Sequence, residues 1–103
     1  MIRLLGLLAV AAAALAAAAT APAAPHSRTC GTVKASGARY RIVVERGKIP
    51  CANAVAAMRS YLVTFERPVG WACFLGHGGD RWAAACSPAS GRWRGSVVRA
   101  YPV

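Results

Sequence analysis

The chain has 103 residues, of which thirteen are basic and three acidic, for a formal net charge of +10. So short a chain has room for one small domain, and three acids leave few ways to assemble the paired carboxylates of a glycosidase. Its 56% hydrophobic content is inflated by alanines near the start, since all eight aromatics and all four cysteines come later.

The first segment reads as an export signal. "MIR" supplies a positive charge, "LLGLLAVAAAALAAAA" is apolar, and small residues follow in "TAPAAP". That order of charged, apolar and small residues is the signature of a secretory leader. The apolar run is shorter than the roughly 20 residues of a spanning helix and is mostly alanine, so no transmembrane anchor is expected in the mature chain. Ala17-Ala18-Ala19 and Pro22-Ala23-Ala24 both fit the small-residue rule, while proline disfavours cleavage just before Pro22 or Pro25. Residues 1–24 therefore read as leader with the exact cleavage site open, and the product as secreted, extracellular or envelope-associated. Residues 25–29 then read as a short polar tail and 30–103 as a single domain.

A domain of about 80 residues buries little surface, and crosslinks commonly compensate. Four cysteines behind an export signal therefore read as two disulfides. No C-x-x-C or H-x-x-x-H pair is present, so neither a metal site nor a cofactor is expected.

From Cys30 the elements follow in order. "CGTVKA-SG-ARYRIVVE" predicts a hairpin turning at Ser36-Gly37, with Tyr40, Ile42 and Val44 alternating against Arg39, Arg41 and Val43. "RGKIP" breaks the strand. Cys51, Val55, Met58, Leu62 and Phe65 then recur at spacings of four, three, four and three, which predicts a helix with that apolar stripe. Alanines between them favour helix, Pro50 suits its first turn, and "ERPVG" ends it.

Beyond the helix, Trp71, Trp82 and Trp93 recur every eleven residues beside turn-forming residues, suggesting a three-stranded meander. The last strand, "SVVRAY", places Val97, Arg99 and Tyr101 on one face and Val98 and Ala100 on the other. The expected fold is α+β, in the order β-β-α-β-β-β, with one helix on an antiparallel sheet.

Hairpin geometry pairs the cysteines. A turn centred near Gly79-Asp80 sets Cys73 opposite Cys86, within disulfide reach. The same arithmetic places Cys30 opposite Glu45, near the point where the chain turns into Cys51. The expected bridges are Cys30–Cys51 and Cys73–Cys86, each contributing on the order of 3 kcal/mol by restricting the unfolded chain.

The loop "GHGGDRW" offers His77 and Asp80 as base and orienting carboxylate, but it contains neither serine nor free thiol as nucleophile. A small ribonuclease-like hydrolase using His77, a glutamate and arginines is the least strained enzyme reading. The structural alternative is favoured: Gly76, Gly78 and Gly79 allow positive φ, Asp80 satisfies turn amides, and the protein is not expected to be catalytic.

Charge points to partners. Arg39 and Arg41 share one face of their strand, and alternation through "RWR" sets Arg92 and Arg94 on one face with Trp93 on the other. These four arginines are the candidate anion-binding residues. They suit an anionic envelope polymer or lipid, or nucleic acid without sequence preference. The competing explanation is the arginine and alanine bias of a GC-rich genome.

The stretch "VVERGKIPCANAVAAMRSY", followed by "GWACF" and a later cysteine, resembles small secreted actinobacterial two-disulfide domains of uncharacterised function. The matching residues are Gly47, Cys51, Ala54, Tyr61, Gly70, Trp71, Cys73 and Cys86, and the resemblance covers residues 40–101. Pro50 stands where those domains often have serine. A weaker similarity, to secreted subtilisin inhibitors, rests on an export signal, two disulfides and a cysteine opening an alanine-rich helix. The short spacing of "CFLGHGGDRWAAAC" departs from it. The expected function is a non-catalytic binding or envelope-associated module for anionic partners, with a secreted protease inhibitor as the alternative. A flat basic face favours the first, a protruding loop the second, and a pocket joining His77 to a carboxylate an enzyme.

Overall fold

The computed structural model describes residues 27–103. The segment expected to be an export signal lies outside the described residues. Two hairpins and a final strand build one five-stranded antiparallel sheet. Its strands are β1 (Arg28–Ala35), β2 (Ala38–Arg46), β3 (Trp71–Leu75), β4 (Ala84–Pro88) and β5 (Val97–Pro102), and its helix is α1 (Cys51–Thr64). The spatial order is β1-β2-β5-β4-β3, so the last strand pairs with both hairpins and joins them. The α+β fold and the order β-β-α-β-β-β are those expected.

Ser36 and Gly37, with φ of 52° and 82°, make the tight turn that suits a two-residue hairpin. Alternation then sorts the side chains. Val33, Ala35, Ile42, Val44, Ala84, Cys86, Val98 and Ala100 point toward the helix and are buried. Ala54, Met58, Tyr61 and Leu62 of α1 cover them. Truncating the fully buried Met58 to alanine would cost about 2–5 kcal/mol.

The helix departs from expectation in detail. Its buried side is Ala54, Ala57, Met58, Tyr61 and Leu62, with Cys51 and Val55 only half-buried. Phe65, assigned to the stripe, caps the helix in the left-handed region at φ 61° and is 59% exposed. A stripe drawn through the largest aliphatic residues overlooked alanine, whose small side chain brings the helix close to the sheet. Pro50 precedes the first turn as N-cap, and its carbonyl accepts the Ala54 N–H at 3.0 Å.

Both expected disulfides are present, but the route to the first differs. Cys30 does not face Glu45. The β1–β2 register passes from Thr29↔Val43 to Gly31↔Ile42, leaving Cys30 as the extra residue of a β-bulge. In a regular ladder Cys30 would share the helix-free face with Thr32 and Lys34. The bulge, made with Gly31 at φ 118°, lets it turn inward against the core. Its Cα is then 5.2 Å from that of Cys51. The second bridge follows the expected register, with Cys73 directly opposite Cys86 and Cα atoms 4.1 Å apart.

β1 starts at Arg28, inside the stretch read as a polar tail. The Arg28 guanidinium donates to the carbonyls of Gly47 (3.1 Å) and Ile49 (2.9 Å), tying the first strand to the β2–α1 connection. Gly47 itself has φ 95° and packs so closely on Ser96 that an added Cβ would lie 2.7 Å from the Ser96 Cα. The meander β3–β4–β5 forms as expected, yet only Trp71 belongs to a strand. Trp82 lies before β4, and Trp93 lies in the turn before β5.

Candidate functional site

The sheet has one face without a helix, and the residues on it follow from the register. Lys34 stands opposite Arg39, Arg41 opposite Tyr101, and Val43 opposite Arg99. Ala85 then links Arg99 to Phe74 on the edge strand. Lys34, Arg39 and Arg41 are exposed, while Arg99 and Tyr101 are half-buried. The result is a band of cations and aromatic rings drawn from β1, β2, β5 and β3, with the small Ala85 of β4 between Arg99 and Phe74.

Rings hold two of the arginines in place. The Arg41 guanidinium lies 5.1 Å from the Tyr101 ring centroid, and that of Arg99 lies 5.1 Å from Trp82. Trp82 in turn meets Phe74 edge-on, with centroids 5.7 Å apart. Stacking of this kind satisfies the flat face of a guanidinium and leaves its N–H edge available to an acceptor. The Arg99 Nε is buried and has no hydrogen-bond partner among the described residues.

One acid, Glu45, reaches the band through Tyr101 without forming an ion pair with its cations. Glu45, half-buried at the bulge where β2 meets β5, accepts a hydrogen bond from the Tyr101 hydroxyl. Burial of the Tyr101 phenol, then the hydrogen bond and negative charge of Glu45, push its pKa above 10.0, with Arg99 pulling the other way. Among the described residues, no lysine or arginine makes an ion pair with a carboxylate.

The four arginines singled out from the sequence do not form one patch. Arg39 and Arg41 belong to the band. Arg92 and Arg94 sit in the turn before β5, at the other end of the sheet, with most of that strand, about 17 Å long, between the pairs. Strand alternation does not apply to a turn, and the Arg92 guanidinium lies 5.6 Å from the Trp93 centroid rather than on an opposite face. Trp93 packs against the core on the helix side. Lys34, Arg99 and Trp82 complete the band instead. Arg99 was legible as an outward residue of "SVVRAY", and Lys34 needed only the hairpin register. Trp82 carried no signal of its face, because it lies in a loop.

The 76–83 loop is held as a turn. The Asp80 carboxylate accepts the His77 N–H at 2.9 Å, and the Asp80 N–H donates to the His77 carbonyl at 2.9 Å. The imidazole is 85% exposed, with Nδ1 4.0 Å from the Asp80 carboxylate. Of the three glycines expected to use positive φ, only Gly79 does so. Gly76 is required for another reason, since a Cβ there would collide with the Trp82 carbonyl, and Gly78 is in open space.

No helix among the described residues is long and apolar enough to cross a membrane. Two disulfides, with no free cysteine among those residues, fit an oxidising compartment. No protein family, no curated protein and no solved structure matches this chain.

Proposed function

We propose that this protein is a secreted, non-catalytic module that holds an extended phosphate-bearing polymer of the cell envelope against the helix-free face of its sheet. The leader-like first segment and the two disulfides support export. The observation that carries the reading is the placement of Lys34, Arg39, Arg41 and Arg99 on one flat face without a carboxylate partner. A flat band with strands about 4.8 Å apart suits a flexible chain of anions better than a compact substrate. Its cations act through charge and guanidinium N–H donors, so binding depends on salt and little on sequence.

The test compares two variants of equal charge change. Arg39→Glu/Arg41→Glu disrupts the band, whereas Arg92→Glu/Arg94→Glu alters the far end of the sheet. Retention on immobilised polyphosphate is measured as salt rises. Four phosphate contacts predict a slope of log K against log salt of about −3, taking the value for single-stranded chains. The band variant should lose retention at low salt while the far-end variant keeps most of it. Equal loss in both variants would reduce the effect to net charge, and retention of the wild type in molar salt would refute the electrostatic account. Phosphatidylglycerol vesicles and single-stranded DNA, run in parallel, separate envelope polymer from lipid and nucleic acid.

A further inference from the structure

The two edges of the sheet are built differently. β1 carries Arg28, Lys34 and the bulge at Cys30, which are devices that discourage another strand from pairing. β3, "WACFL", has no charge, proline or bulge. Hydrogen bonds bracketing the β3–β4 pair run from the Ala89 N–H to the Gly70 carbonyl and from the Gly76 N–H to the Ala83 carbonyl, both 2.8 Å. They turn the even-numbered amides toward β4 and make Cys73–Cys86 a non-hydrogen-bonded pair. The N–H and C=O groups of Cys73 and Leu75 therefore point away from β4, at an edge that no other described strand pairs with. Phe74 on one face and Leu75 on the other are 52% and 46% exposed.

We infer that β3 is the seam of a two-fold dimer of this chain. An antiparallel pairing centred on Cys73 is self-complementary. It lets Cys73 exchange both backbone hydrogen bonds with the partner's Cys73, and sets Phe74 beside the partner's small Ala72 and Leu75 beside the partner's Trp71. Charge selects the same place. Residues 66–81 contain two of the three acids, Glu66 and Asp80, against two arginines, Arg67 and Arg81, so this stretch has no formal net charge. Two copies of a strongly basic chain meet less repulsion where the local charge is balanced. The axis stands perpendicular to the sheet, so both helix-free faces lie on the same side of a ten-stranded sheet.

Sedimentation velocity of the purified protein over a wide concentration range tests this. The wild type should pass from monomer to dimer, more readily as salt rises, which is opposite to the salt dependence of polyanion retention. Ala72→Lys and Leu75→Lys place a charge on each side of the seam and should each weaken association at least tenfold, with unchanged circular dichroism. Ala72 is exposed, so its variant keeps the test valid should Leu75→Lys fail to fold. Amide exchange at Cys73 and Leu75 should slow with concentration while that along β1 does not. A wild type that stays monomeric up to millimolar concentration in high salt overturns the inference. A dimer that survives both lysines, or concentration-independent exchange at Cys73, does the same.

Discussion

Lys34 and Arg39 stand directly opposite each other across the first hairpin, both exposed and both on the face without the helix. Like charges in that relation oppose strand pairing by roughly 0.2–1 kcal/mol. No acid within ion-pair distance relieves them. An anion lying over the face would do so, which gives the repulsion a use.

Lys34→Glu separates the two roles. It converts a repelling pair to an attracting one, so the urea midpoint should rise by the equivalent of about 0.2–1 kcal/mol. Retention on polyphosphate should weaken in the same variant. A rise in stability with unchanged retention would remove Lys34 from the binding face.

The fold was legible because its signals are local. The Ser36-Gly37 turn, the alternation through "RYRIVVE" and the symmetric placing of Cys73 and Cys86 about Gly79-Asp80 each determine a register within one hairpin. Asp80 as a turn residue was legible in the same way, from its place beside glycine. What escaped depends on residues distant in the chain. The bulge at Cys30 shows only once Cys51 requires a partner on the helix side. The basic face was half legible: Arg39, Arg41 and Arg99 follow from alternation, but their joining depends on β5 inserting between the hairpins. Arg92 and Arg94 went astray because the eleven-residue tryptophan spacing implied a strand where the chain makes a turn.

Arg28 tests the other end of the sheet. Its guanidinium serves two carbonyls, those of Gly47 and Ile49, that border the start of the helix. Arg28→Ala should cost about 1–2 kcal/mol, the lower range for hydrogen bonds from a charged donor because the site is partly exposed. Arg28→Lys should recover less than half of that, since one ammonium cannot reproduce the forked geometry. Chemical denaturation of the two variants measures both quantities. Full recovery in the lysine variant would mean that charge, and not the fork, holds the connection.

Tyr101 predicts how the protein responds to alkali. Burial raises its pKa first, and the hydrogen bond and charge of Glu45 raise it further. The folded state therefore holds the phenolic proton more tightly than the unfolded chain, whose tyrosine titrates near 10.0. Below that pH both states carry the proton and the whole contribution to stability is present. As pH rises past 10.0 the unfolded chain releases its proton first, and stability falls until the folded group has titrated as well. Absorbance of the phenolate should show a late ionisation in the wild type that is missing in Tyr101→Phe. The fall in denaturation midpoint above pH 10.0 should be shallower in that variant. Should the late ionisation persist without Tyr101, it belongs to another tyrosine and the alkaline loss of stability is not Tyr101's.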